Sequence, residues 1–277
     1  LSHIRETDAI VEVVRCFENS NVVHVDGSIN PIRDIETINL ELIFADIETV
    51  NKRIDKAKKN LKADKKYQVE IDLLERILET LESGKSARTL DFNDEEQSMV
   101  KEMFLLTTKP ILYVANVSEE QLENAEQGEN VQKVKQYASE EGAEVVPLCV
   151  KMEEELSGLD DEDKKEMLAM YNLDESGLDK VVRKSYDLLG LMSFLTAGEP
   201  EVRAWTIKKG TKAPEAAGKI HSDIQRGFIK AEVVSYDDLI KEGSMVAAKE
   251  RGLVRSEGKE YVMQDGDIVL FKFNVSK

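Results

Sequence analysis

Lys109-Pro-Ile-Leu-Tyr-Val-Ala-Asn-Val-Ser-Glu119 is the stretch from which the fold can be read. Ile111 to Ala115 forms a short apolar run directly after Pro110. Proline has no N–H to give to a sheet ladder and suits the first position of a strand. The run stops at Asn116, and polar residues follow. An apolar strand ending in Asn-x-x-Glu puts an amide and a carboxylate at the carboxyl edge of a sheet, where open α/β sheets bind ligands. A planar amide both donates and accepts at the edge of a purine, whereas an ionised carboxylate only accepts. Asn116 and Glu119 are therefore expected to read a purine base. The competing reading is a strand-to-loop turn with a cap.

Outward from this stretch, composition sets the class. The 277 residues suffice for two or three domains, and at 41% hydrophobic and 34% charged the chain reads as globular and charge-rich. No apolar run approaches the ~20 residues of a membrane span. The opening Leu1-Ser-His-Ile-Arg-Glu is not a signal peptide, and a start at Leu1 instead of Met predicts a fragment of a longer protein. Cys16 and Cys149 each sit in or beside an apolar run, which favours buried free thiols in a reducing cytoplasm over a disulfide. The net charge of −17 is uneven: from Leu191 onward there are 14 Lys+Arg and 13 Asp+Glu, against 24 and 42 before it. An acidic body repels nucleic acid, so an RNA contact is expected through the C-terminal segment or limited to local patches; in that segment Arg203, Lys208, Lys209, Lys212 and Lys219 are the candidates, the alternative being ordinary solvated lysines.

Upstream, the β-branched run Ala9 to Cys16 reads as a buried strand. His24 to Pro31 reads as a loop, in which His24 is catalytic or, more ordinarily, solvated. From about Asp34 the period changes. Ile43, Ile47, Val50, Ile54, Ala57 and Leu61 step by four and three, and after a turn at Lys62 to Lys66 the stepping resumes at Tyr67, Ile71, Leu74, Leu78 and Leu81. Such seams predict an antiparallel coiled-coil hairpin that Gly84 ends. Ser83-Gly-Lys-Ser86 imitates part of a phosphate-binding loop, but Glu79 occupies the first glycine position and a helix precedes it. No other stretch of the 277 residues fits that pattern.

Downstream, Glu129 to Glu141 predicts a helix, Ala143 to Val150 a strand with Lys151 to Glu155 leaving its end, and Gly177 to Leu191 a helix with Leu178, Val181, Val182, Tyr186 and Leu189 on its apolar side. This alternation argues for a mainly parallel sheet interrupted by the two inserted helices. The last third differs. Glu201 to Ile207, Ile229 to Val234 and Asp267 to Phe273 read as strands around one helix opened by Pro214 and closed by Gly227, a small α+β module. Trp205 is expected in its core rather than as a ligand platform.

These blocks together resemble the YchF/Obg-like ATPase family, a branch of the translation-associated GTPases. The resemblance runs the whole length and is carried by Leu1-Ser-His-Ile-Arg-Glu-Thr-Asp8, Asp26-Gly-Ser-Ile-Asn-Pro-Ile-Arg-Asp-Ile-Glu36, Asn116-Val-Ser-Glu119, Phe194-Leu-Thr-Ala-Gly198, Glu201-Val-Arg-Ala-Trp-Thr206, Ala213-Pro-Glu-Ala-Ala-Gly-Lys-Ile-His221, Gly227-Phe-Ile229 and Tyr261-Val-Met-Gln-Asp-Gly-Asp267. It implies an α/β P-loop NTPase-type domain in two parts (1–33 and 99–190), an α-helical coiled-coil insertion (34–98) and a C-terminal α+β TGS domain of β-grasp fold (191–277). The family's phosphate loop, Mg²⁺-binding threonine, Asp-x-x-Gly switch and catalytic histidine fall upstream of Leu1, so none is carried onto this sequence, His3 included. The chain given is then expected to be inactive by itself and to hold the base-reading half of a nucleotide site: Asn116, Val117 and Glu119, with Cys149 and Val150 in the second base-side loop.

Related GTPases end this reader in Asp, which accepts two hydrogen bonds from guanine. Adenine lacks those donors, so a displaced Glu119 removes the guanine preference and implies ATP at least as well as GTP. The resemblance further implies Mg²⁺ as cofactor, a ribosome or RNA partner, no membrane, a monomer and a cytoplasmic location. Two functions are consistent with it: a ribosome-docking ATPase/GTPase, or a nucleotide-sensing adaptor whose turnover is incidental.

Overall fold

The computed structural model describes residues 1–19, 27–61, 64–198 and 201–274. His24, Lys62 and Ala63 lie outside the described residues. The chain divides into two compact units, Leu1–Leu188 and Leu189–Lys277.

The first unit is built on a three-stranded parallel sheet of β1 (Ile10–Arg15), β2 (Ile111–Asn116) and β3 (Glu144–Leu148), with β2 in the middle. Every residue of β2 from Ile111 to Ala115 is buried, as a central parallel strand covered on both faces requires. Ile111, Tyr113 and Ala115 face the larger core, which takes Val131, Val134 and Ala138 from a helix between β2 and β3. Leu112 and Val114 point to the opposite side, where Val181 and Leu188 pack on them. Pro147, which cannot donate to a ladder, is tolerated because β3 is an outer strand.

The helices of this unit are α1 (Ser2–Arg5), α2 (Pro31–Leu61), α3 (Tyr67–Glu82), α4 (Asp94–Lys101), α5 (Glu129–Glu140), α6 (Val150–Ser157), α7 (Asp161–Met170) and α8 (Gly177–Leu188). α2 and α3 form a hairpin whose core includes Ile43, Val50 and Ile54 with Leu74 and Leu81, and Ala57 and Ile71 are also buried. Leu73 and Ile77 are also buried, outside the expected stepping, because Ala87, Val100, Met103 and Leu105 join the same cluster and cover a second flank of α3. The hairpin root is fastened by Asp46, which is fully buried. Its carboxylate accepts from Arg5, from the backbone N–H groups of Leu106 and Thr107, and from the Thr107 hydroxyl, at 2.7–3.0 Å. α3 ends where Gly84 turns into the left-handed region (φ 80°), so Ser83 to Ser86 is a helix terminus.

Three expectations for this unit change. β1 is not a buried strand: Val11 is 45% and Val13 59% exposed, because no helix among the described residues covers that face of an outer strand. α8 stops at Leu188, and Leu178 and Val182 are half-exposed; the sheet is reached by Val181 and Leu188 instead. Gly190, with φ 61°, makes the turn into the next strand. Lys151 to Glu155 is not a plain exit from β3 but part of α6.

The second unit carries β4 (Leu191–Ala197), β5 (Val202–Lys208), β6 (Phe228–Ser235), β7 (Arg255–Glu257) and β8 (Asp267–Phe273) in the order β5-β4-β8-β6-β7. β4 runs parallel to β8 and the other pairings are antiparallel. α9 (Ala213–Ile220) and α10 (Ser222–Arg226) replace the single expected helix, because His221 is extended (φ −162°) and its ring caps α10 by accepting the Asp223 N–H. α11 (Tyr236–Glu242) and α12 (Met245–Glu250) complete the unit. Phe194, Ile207, Ala217, Val233 and Phe271 are among its core residues.

Candidate nucleotide site

β1, β2 and β3 end in register, with Arg15, Asn116 and Leu148 side by side. The loops leaving their carboxyl ends enclose a pocket of about 410 Å³. Asn116, Val117, Glu119 and Cys149 all line it. Val150 contributes through its backbone: its N–H donates to Asn116 Oδ1 at 3.0 Å. A second tie joins the Val117 N–H to the Leu148 carbonyl at 2.9 Å. The loops after β2 and β3 are thus held together by their own polar groups.

Glu119 lines the pocket beside Asn116. It opens a 3-10 helix, Glu119–Gln127, but the capping there is done by Ser118 and Gln121. Both Glu119 carboxylate oxygens instead lie 3.2 Å from Lys151 Nζ. That bond holds the Lys151 ammonium above its ordinary range. Lys151, which sequence reasoning passed over, is therefore a wall of the site. Its only sequence signal is its place directly after Cys149 and Val150. The loop following β1 was likewise missed. Phe17, Glu18 and Asn19 line the pocket, and Arg15 shapes that loop by donating to the Phe17 and Asn19 carbonyls.

Rigidity comes from behind. Glu153 accepts the Gly177 and Leu178 N–H groups at 2.7 and 3.1 Å, pinning α6 to the start of α8. A Cβ on Gly177 would stand 2.4 Å from Leu148 Cβ, so only glycine allows this approach. Cys16 and Cys149 are both buried and free, and burial pushes the Cys16 thiol up to about 12. Neither is placed as a nucleophile.

Arg203, Lys208, Lys209, Lys212 and Lys219 of the second unit are not brought to one face. Arg203 lies on the side of β5 that carries Trp205 and Ile207, its guanidinium 4.2 Å from the Trp205 ring. Lys208, five residues on, points to the other side, and its Nζ donates to the Leu189 carbonyl. Lys212 is paired with Glu260 at 2.5 Å, while Lys209 and Lys219 are exposed. Trp205 is half-buried against the core and donates to Thr196 Oγ1 at 2.9 Å.

With the geometry in place, comparison with known proteins decides the lineage. The chain is 55% identical over 276 residues to "Ribosome-binding ATPase YchF" of Bacillus subtilis, covering 99% of this chain and 75% of that protein. The chain belongs to the YchF family. The protein of that name from Escherichia coli O157:H7 is 45% identical over the same shares of both chains. Residues 191–274 match YchF-GTPase_C, described as a protein of unknown function (DUF933). The solved structure of the Schizosaccharomyces pombe YchF GTPase superposes with a TM-score of 0.84 at 35% identity, over 98% of this chain and 74% of that one. A GTP binding protein from Pyrococcus horikoshii OT3, 18% identical with a TM-score of 0.59, shares the fold. YchF relatives thus bear out a mixed α/β nucleotide-hydrolase fold, and their names do not favour a non-catalytic adaptor.

Proposed function

We propose that the intact protein binds ATP, and GTP, with the purine in the pocket of Asn116, Val117, Glu119 and Cys149, and hydrolyses it by attack of water on the γ-phosphate while docking on the ribosome. The observation that supports this reading is the Val150 N–H to Asn116 Oδ1 bond, which joins two loops at the carboxyl edge of a parallel sheet, where open α/β sheets bind ligands. In such reactions catalysis is almost wholly positioning and charge stabilisation, with Mg²⁺ neutralising the phosphates. Among the described residues no group of three or more His, Cys, Asp or Glu side chains is placed to hold a metal ion. What these residues do is hold and orient the base.

In the same reading, 1–33 with 99–190 is the nucleotide-binding domain, 34–98 a coiled-coil insertion, and 191–277 a TGS domain. The strand order of the second unit, with its first and last strands parallel at the centre, supports a β-grasp assignment. Lys208, Lys209, Lys212 and Lys219, with Arg203 on the opposite strand face, are its RNA-facing candidates. No helix among the described residues is long and apolar enough to cross a membrane. Turnover of the intact protein measured with and without ribosomes tests the proposal. Strong stimulation is expected; unchanged turnover together with tight ribosome binding would favour the adaptor.

A further inference from the structure

Lys151 turns toward the base pocket and away from its own helix. It is the second residue of α6, where the ordinary partner of a surface lysine is the residue four positions on. That residue, Glu155, has its Oε1 3.7 Å from Lys151 Nζ. Both Glu119 oxygens are nearer, at 3.2 Å, from 32 residues away in sequence. Among the described residues that line the pocket, Lys151 is the one cation, against the carboxylates of Glu18, Glu119 and Glu120. Glu119 is the deeper member of the pair, its side chain 28% exposed against 68% for Lys151.

The backbone at each end of this pair is fixed. Ser118 and Gln121 cap each other where the 3-10 helix begins, the Ser118 N–H donating to Gln121 Oε1 at 2.9 Å. On the other side the Val150 N–H is bonded to Asn116, and Glu153 ties α6 to the start of α8. An exposed ion pair contributes little to stability, partly because two long side chains must be held in one geometry. Stability is therefore a weak reason for this pair. Its place at the ligand-binding edge of the sheet supplies a better one.

We propose that Lys151 is a specificity-determining residue: it masks the Glu119 carboxylate, which left bare would select guanine over adenine. The inference rests on the reading of this pocket as a purine site. On its Watson–Crick edge guanine carries N–H donors on a ring nitrogen and on an amino group. Adenine carries one amino group beside a ring nitrogen that has a lone pair. A bare carboxylate accepts from both guanine donors but opposes adenine's lone pair, leaving polar groups unpaired. The ion pair instead offers an ammonium donor and a carboxylate acceptor side by side. Adenine can use both, its ring nitrogen accepting from Lys151 and its amino group donating to Glu119. Guanine can also use both, through its carbonyl oxygen and its ring N–H. Loss of the ammonium therefore harms adenine more than guanine. A purely structural role for Lys151 would change both affinities together and leave their ratio alone.

The test titrates ATP and GTP separately into the intact protein, wild type against Lys151→Met, by calorimetry. The position is exposed and methionine is as good a helix former as lysine, so the fold is kept. The GTP/ATP affinity ratio should rise about fivefold, the scale of an exposed ion pair. Lys151→Arg retains the cation and should stay within about twofold of the wild-type ratio. Adding Glu119→Gln to Lys151→Met removes the carboxylate that needs masking and should bring the ratio back toward wild type. An unchanged ratio in Lys151→Met, with both nucleotides still bound, would overturn this inference and leave the purine site standing. So would an equal rise in Lys151→Arg, since the charge would then not be the cause. Wild-type binding of neither nucleotide would overturn the purine reading and this inference with it.

Discussion

Asn116 Oδ1 accepts the Val150 N–H at 3.0 Å, across 34 residues of sequence. The oxygen of this amide closes the seam between the loops after β2 and β3, and in the proposed function its NH₂ meets the purine. Asn116→Ala removes both. ATP and GTP affinities of the intact protein should fall alike, by roughly 1–3 kcal/mol, because the acceptor on the five-membered ring is common to both purines. Titration calorimetry with each nucleotide measures this, and a loss confined to one purine would contradict a shared reader.

The ion pair of Glu119 with Lys151 bears on base choice. Glu119→Asp retracts the carboxylate by one methylene, away from Lys151 and toward the position that meets guanine's N–H donors in related GTPases. A site whose polar groups are paired by one ligand rejects another that leaves them unpaired. The GTP/ATP affinity ratio of the intact protein should rise about tenfold, in keeping with charge-assisted bonds of about 1.5–3 kcal/mol. If both dissociation constants move together, backbone groups near Val117 select the base.

The 277 residues contain no Gly-x-x-x-x-Gly-Lys-Ser/Thr stretch, and the partial match ends a helix at Gly84. Backbone donors and a lysine in such a loop stabilise much of the transferring charge. This chain alone should show no Mg²⁺-dependent ATP hydrolysis above buffer. Phosphate release by a highly purified sample is the measurement, and turnover that co-purifies with the chain through successive columns would refute the expectation.

Glu12 on β1 gives the fold a pH dependence. Burial raises its carboxyl from 4.5 to about 7, with Arg88 opposing and the neighbouring Glu141 reinforcing the rise. Arg88 also bonds Glu141 at 3.1 Å, and the Tyr113 hydroxyl donates to the same oxygen at 3.0 Å. A folded-state value above the unfolded one means stability is fully present below about 4.5 and is lost as pH rises through about 7. Glu12→Gln is free of that loss. Its thermal midpoint should therefore gain on wild type between about pH 5 and pH 8, by the equivalent of roughly 1–3 kcal/mol. A constant difference across that range would show that Glu12 is ionised in the folded protein.

Much of the architecture was legible in the chain itself. The apolar run after Pro110 became the buried central strand, and the four-and-three stepping from Ile43 to Leu81 became the helix pair. Both are short-range patterns: side chains repeat with the period of the element that buries them, so a strand fully covered and a helix covered along one stripe announce themselves. Asn116 was legible for the same reason, as the first polar residue after that run.

What the sequence could not decide depends on which surfaces meet. Val11 and Val13 have the composition of buried residues but lie on the outer strand, exposed on the same sheet face where Val181 and Leu188 cover Leu112 and Val114. Arg203 and Lys208 are near neighbours in sequence, yet the two-residue period of β5 sends them to opposite sides. Glu119 and Lys151 are 32 residues apart, and nothing local to either predicts their pairing. The sequence by itself determined the elements and the amide that ends β2, because those follow from local periodicity. Only the tertiary structure decided which charge Glu119 meets and which lysines remain unpaired, because ion pairs form through space between loops whose approach is set by packing elsewhere.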